Sequence, residues 1–318
     1  MPTTRLPAAL TLAATLLVAA CGSTTSGASG TPSSASSSPA TSTPASTSSP
    51  ASSATLSAVP AQGEVVGVGT VLEKGSEGAM VCFGVLDSLP PQCSGPRLIG
   101  WDWATAPAPE QRDGVRWGEY AVTGTWDGRA LTLTTPAVTR AAYEQKHPTP
   151  RPGNAFPTPC AEPAGGWAVV DPATTTAVTQ TEAITVAQGL PGFGALWVDS
   201  SRNPAAADPN ADGDGANNPK KLILNVRVTQ GRDAAEAALR KVWGGMLCVT
   251  EGGRTETDLL DTQAALAQTP GLVSSSVDGV TSVIDLQVLF DDGSLQQRMD
   301  QTYGPGFVRV TSALLPAS

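Results

Sequence analysis

The sequence predicts an α+β protein: a small all-β, barrel-like N-terminal unit, then an α+β sandwich with helices on one sheet face. Three observations carry that expectation. From Val65 to Thr134 the apolar residues come in short runs broken by glycine, with Asp127-Gly128 between two of them, a signature of a tight hairpin. Beyond Pro172 strand-like runs alternate with stretches of helical spacing, so helices must find a sheet to cover. Between the two, residues 137–171 are rich in proline, which suits a connector.

In the first unit, residues 59–136, five strands are expected. Runs 65–72 and 80–84 flank a turn at 74–78, a third strand covers 98–103, and 120–126 and 131–134 flank Asp127-Gly128. Five short strands with glycine at the bends resemble an OB-fold in number and spacing. The connector carries a short helix over 139–145. In the second unit, residues 172–318, a helix over 173–188 precedes a strand at 195–198. A strand at 222–228 leads to a helix over 232–242, with Ala235, Ala238, Leu239 and Val242 on one face, and a strand at 246–249 follows. Thr255-Glu256-Thr257-Asp258 resembles a capping box and opens a helix to residue 267. Strands 272–277 and 282–290 make a hairpin around Asp278-Gly279, and Ile284, Leu286, Val288 and Phe290 share one face. A helix over 294–303 and a strand at 307–310 close the chain.

Ahead of these units, residues 6–20 are apolar apart from Thr11 and Thr15, with Arg5 before them. The run is too short to span a bilayer and suits a secretion signal, residues 1–20. Leu17-Val18-Ala19-Ala20-Cys21-Gly22 resembles the lipobox of bacterial lipoproteins. The resemblance implies cleavage before Cys21, diacylation of its sulfur (palmitate chemistry), and a lipid anchor on the extracytoplasmic face of the cell membrane. Residues 21–58 are then a disordered tether: after Cys21 they are Ser, Thr, Ala, Pro and Gly with Leu56 the one large apolar residue, too little to offset ordering entropy.

The formal charge is −9 and no basic cluster follows the leader, which excludes nucleic acid as a partner. With Cys21 given to the lipid, Cys82, Cys93, Cys160 and Cys248 remain in an oxidising compartment. Their even number predicts two disulfides with three connectivities, and Cys82–Cys93 with Cys160–Cys248 is favoured because each pair then falls within one folding unit. Zinc is disfavoured, since no C-x-x-C occurs and His147 is the sole histidine.

Two patches hold candidate ligand chemistry. Asp208-Pro209-Asn210-Ala211-Asp212-Gly213-Asp214-Gly215 resembles a calcium loop, with Asp208, Asn210, Asp212 and Asp214 as oxygen donors at alternate positions. Pro219 stands where that pattern has a bidentate glutamate, and a solvated hairpin tip uses the same residues. Trp101, Trp103, Trp117 and Trp126 gather in the first unit; Trp101, Trp103 and Trp126 are candidates for stacking on a sugar, in competition with core packing. Catalytic motifs are missing: His147 has no partner, and Asp291-Asp292 reads as a helix cap before it reads as half a glycosidase pair. The expected function is a membrane-anchored, non-catalytic binding or structural module at the cell envelope, with an envelope protein or glycan as partner and no cofactor beyond calcium. The alternative is a carboxylate-dependent envelope glycan hydrolase.

Overall fold

The structure is a computed structural model that describes residues 58–149, 156–208 and 210–317, with only the backbone of Asp214. The leader, Cys21 and the tether up to residue 57 lie outside the described residues. Among the described residues no helix is long and apolar enough to cross a membrane.

The molecule is α+β. Strands β1 (Glu64–Lys74) and β5 (Val115–Trp126) frame the first part. At 11 and 12 residues each is about twice the usual strand length. They run antiparallel from Glu64↔Thr125 to Lys74↔Val115. β2 (Met80–Cys82) pairs with β1, β3 (Arg97–Ile99) with β2, and β6 (Ala130–Leu133) with both β3 and β5, so five strands close a barrel. Its β3–β6 pair is parallel. Alternation along β5 sends Tyr120, Val122 and Trp126 inward, where they meet Val65, Val71, Val81, Leu98 and Leu131. Between Val65 and Val71 stands Gly67, where a Cβ would sit 2.7 Å from Leu314 and 2.8 Å from the Phe83 ring. Only glycine admits those two side chains.

The Asp127-Gly128 hairpin forms as expected, and Asp127 accepts hydrogen bonds from the amides of Arg129 and Ala130. A further hairpin departs from the expected five strands. Asp113 and Gly114, at φ +50° and +76°, join β4 (Glu110–Arg112) to β5 by a two-residue turn. β7 (Val138–Thr139) also pairs with β5, and helix α1 (Arg140–Lys146) starts on a Thr139 cap. Arg140 then meets Glu119 at 2.6 Å, so the chain stays with the barrel strands as far as Lys146. The third strand ends early. Gly100, at φ +83°, turns the chain after Ile99, and Trp101 and Trp103 lie in the loop beyond it instead of in the expected strand over 98–103.

The second half uses one motif twice. Helix α2 (Ala177–Gln188), β8 (Phe193–Asp199), β9 (Ile223–Val228), α4 (Arg232–Leu239) and β10 (Met246–Glu251) make the first repeat. The one-turn helix α3 (Gly213–Ala216) lies in its β8–β9 loop. Helix α5 (Glu256–Leu266), β11 (Leu272–Asp278), β12 (Val283–Val288), α6 (Ser294–Tyr303) and β13 (Val308–Ser312) make the second. Each forms its own three-stranded sheet, with the first strand antiparallel and the third parallel to the middle one. The details repeat as well. Pro191-Gly192 and Pro270-Gly271 precede the first strands, with glycine φ at +68° and +69°. The Thr229 amide donates to Gly192 O at 2.8 Å, and the Leu289 amide to Gly271 O at 2.7 Å. Both strand pairs shift register after one residue, at Phe193/Ala195 and Leu272/Ser274.

Helices cover one face of each sheet. Ala183, Ala187, Ala235 and Leu239 pack on Leu224, Val226 and Val228 in the first repeat. Leu259, Leu266 and Met299 pack on Ile284, Leu286 and Val288 in the second. The opposite faces differ. In the first repeat that face carries Trp197, Ile223, Asn225, Arg227, Met246 and Cys248, all buried. A strap at residues 156–168 covers it: Cys160 is bonded to Cys248, Trp167 packs near Met246, and Trp197 Nε1 donates to Pro157 O at 3.1 Å. Arg227 reaches across to the second repeat, donating to Ser282 Oγ at 2.9 Å, to Gly279 O at 2.7 Å and to Val280 O. Hence β9 is buried at every position. By register, the second repeat has Ser276, Asp285, Gln287 and Arg309 at the places of Trp197, Asn225, Arg227 and Cys248, a polar face that needs no cover.

The last strand, β14 (Leu314–Pro316), returns to the start of the chain. It pairs with Val65–Gly67 of β1 and puts Leu314, fully buried, into the barrel core.

Candidate functional site

Both disulfides are present, Cys82–Cys93 and Cys160–Cys248. The first closes a loop at the end of β2 and rests on Leu72, Val115 and Trp117. With its ends fixed, this loop turns Val85, Leu86 and Leu89 to water, at 47%, 67% and 64% exposure. Its inner side faces Leu272 and Val273 of β11 and the nearby Leu289. Between them runs a groove of about 850 Å³, whose loop wall is Phe83, Val85, Leu86 and Pro96. Gln92 and Ser94 supply the polar side chains, and among the described residues no ionisable group lines it. Water gains little by filling such a space, and apolar groups gain by leaving water for it.

A smaller cavity, about 340 Å³, opens between the loop after β3 and the segment after β6. Trp101, Asp102, Thr105, Leu133, Thr134 and Thr135 line it. Behind it Trp101 meets Trp103 and Tyr120 edge-on, with ring centroids 5.1 and 5.0 Å apart. Burial raises the Tyr120 pKa, with Glu110 adding to the effect, and its hydroxyl donates to Pro107 O at 2.9 Å. Trp126 is not at this surface. It is 2% exposed and donates from Nε1 to Val59 O at 2.9 Å, so its place in a sugar-stacking set is corrected to core packing: its β5 position faces the barrel interior.

The acidic loop is organised by turn chemistry. Asp208 accepts from the Asn210 amide at 2.9 Å, Asp212 caps α3 through the Gly215 amide, and Asn203 donates to Gly215 O and Ala216 O. The side chain of Asp214 lies outside the described residues. Among the described residues no group of three His, Cys, Asp or Glu is arranged to hold a metal ion. Asp291 and Asp292 are likewise engaged at the start of α6. Asp291 accepts from the amides of Leu295 and Gln296, and Asp292 from Ser294, which holds its carboxyl below the usual range. His147 is tied to Tyr143 O at 3.0 Å and stacks on that ring.

Asp199 is the buried carboxylate with the firmest setting. Burial pushes its pKa up, but hydrogen bonds from Ser201 and Thr158 outweigh this and leave it below the ordinary value.

Sequence reasoning did not single out Val85, Leu86 and Leu89. The available signal was three aliphatic residues in a proline-bearing loop between two bonded cysteines, a place with no strand partner to bury them. The opposite wall, Leu272, Val273 and Leu289, comes from a distant part of the chain and had no local mark. No protein-family model matches this chain, and no curated protein matches it at a significant level.

Proposed function

We propose that this protein is a lipid-anchored, non-catalytic binding module on the extracytoplasmic face of the cell membrane, whose apolar groove takes aliphatic side chains of an envelope protein. The observation that carries the reading is the groove beside the Cys82–Cys93 loop. An uncharged lining on a chain of net charge −9 selects for apolar groups and against charged ones. Anchoring through the acylated Cys21, with the tether for reach, places the groove near membrane-embedded partners. An OB-like scaffold that presents loops for binding is part of this reading, and the ring order β1-β2-β3-β6-β5, closed by β5–β1 with its parallel β3–β6 pair, supports it.

The hydrolase alternative needs two carboxyl groups about 5–10 Å apart in a cleft. Among the described residues no carboxylate lines the groove, and the cavity beside Trp101 has one, Asp102. That arrangement favours binding.

The test places a benzophenone side chain at Leu86 in the full, membrane-anchored chain. Irradiation is expected to give one dominant protein adduct, which Leu272→Glu on the facing wall removes. Leu86→Ala and Val85→Ala should each weaken the purified complex by about tenfold, the worth of ~1–2 kcal/mol of lost aliphatic burial. An adduct pattern identical to that from a benzophenone at Val178, itself 68% exposed, would end the reading.

A further inference from the structure

We propose that the cavity beside Trp101 is a second, independent binding site, and that its ligand is a neutral sugar ring of an envelope glycan. Asp102 is exposed; its Oδ1 accepts from the Ala104 amide at 2.9 Å, while Oδ2 has no partner among the described residues. Thr134 Oγ1 is 3.4 Å from Thr123 O, Thr105 Oγ1 donates to Asp102 O, and Thr135 Oγ1 has no partner among the described residues. Leu133 and part of Trp101 supply apolar wall. The set is therefore one free carboxylate oxygen, hydroxyls that both donate and accept, and apolar surface, with no cation.

That inventory picks a ligand class. A carboxylate oxygen needs a donor, so the ligand brings hydroxyls. With no Lys, Arg or His in the lining among the described residues and net charge −9 on the chain, an anionic sugar meets repulsion without a local cation to offset it. A pyranose has an apolar face for Trp101 and Leu133 and hydroxyls at its rim for Asp102 and the threonines. At about 340 Å³ the space is at the small end of ligand cavities, ~300–1,000 Å³, and suits one ring and part of the next.

The loop that builds the cavity is also held against local preference. Trp101 Nε1 and Trp103 Nε1 are buried with no hydrogen-bond partner among the described residues, and Ala108 sits at φ +47°. Each such feature lowers stability. Three in one short loop mark a segment shaped by something other than stability, which is where functional sites lie.

The experiment uses the full chain in detergent and a panel of maltotriose, mannotriose and triacetylchitotriose, followed by tryptophan fluorescence and saturation-transfer NMR. Trigalacturonate and glucosamine are the charged comparators. At least one neutral trisaccharide is expected to bind; Asp102→Asn should weaken it by about tenfold or more, because the amide replaces an acceptor with a donor. Thr135→Val, nearly the same shape, should weaken it severalfold. Near-UV circular dichroism like that of the parent shows that each variant folds. Leu86→Glu in the apolar groove should leave sugar binding unchanged, which separates this site from the protein-binding one. The proposal is overturned if no neutral sugar binds, if either charged comparator binds more tightly, or if both variants bind like the parent.

Discussion

At the scale of single residues, most aspartates among the described residues shape backbone by accepting from nearby amides. Asp199 and Asp278 end the first strands of the two repeats, and each accepts from the amide two residues on, Ser201 and Val280. In the first repeat the group is buried and also takes the Thr158 amide at 2.8 Å, so it ties the strap to the sheet. Its pKa is depressed in the folded protein relative to about 3.9 in the unfolded chain. The stabilisation is therefore present above pH ~4 and is lost as pH falls through the folded value. Asp199→Asn, which cannot gain from ionisation, should cost about 1.5–3 kcal/mol at pH 7. Urea unfolding from pH 2 to 7 checks this: the variant and parent curves should converge at low pH. A constant gap across that range would show that the charge has no part in it.

At the scale of elements, the strap and the sheet it covers depend on each other. Trp197, Ile223 and Met246 are 6%, 2% and 5% exposed only while residues 156–168 lie over them. Cys160 and Cys248 are 88 residues apart, and closing a loop of that length stabilises by about 4.5 kcal/mol in the chain-entropy account. Cys160→Ala with Cys248→Ala should lower stability by up to that amount and red-shift tryptophan emission as Trp197 meets water. An unshifted spectrum would mean that the strap holds without its bond. Helix α6 and strand β12 were legible because period and caps agree, as with Ile284, Leu286 and Val288 facing the helices. β4 and β14 were not: Glu110-Gln111-Arg112 has no apolar residue, and Leu314-Leu315-Pro316 gains meaning only from its partner β1. The repeat did leave a trace, Pro-Gly before the first strand and Val-Asp at its end in both copies. The wall of the groove left none, since tertiary approach alone brings Leu272 to Phe83.

At the scale of the whole molecule, the described residues belong to one compact unit, and the contacts explain how. Leu289 and Phe290, just past β12, pack against the barrel core, and Leu314 of β14 enters it. Arg227 joins the first repeat to the second. Burial thus runs without a break from barrel to second repeat to first repeat. A chain connected in this way should unfold as a whole, whereas two units divided near the proline-rich connector would unfold separately. Leu314→Ala tests the difference, because it removes a fully buried side chain at the junction and should cost about 2–5 kcal/mol. Hydrogen exchange then reads the parts individually through amides in β1 and β5, in β12, and in β9. If burial couples them, the slowest amides of all three sheets lose protection by the same factor. Loss confined to β1 and β5, with β9 and β12 as protected as in the parent, would show that the barrel opens alone and that β14 is only docked to it.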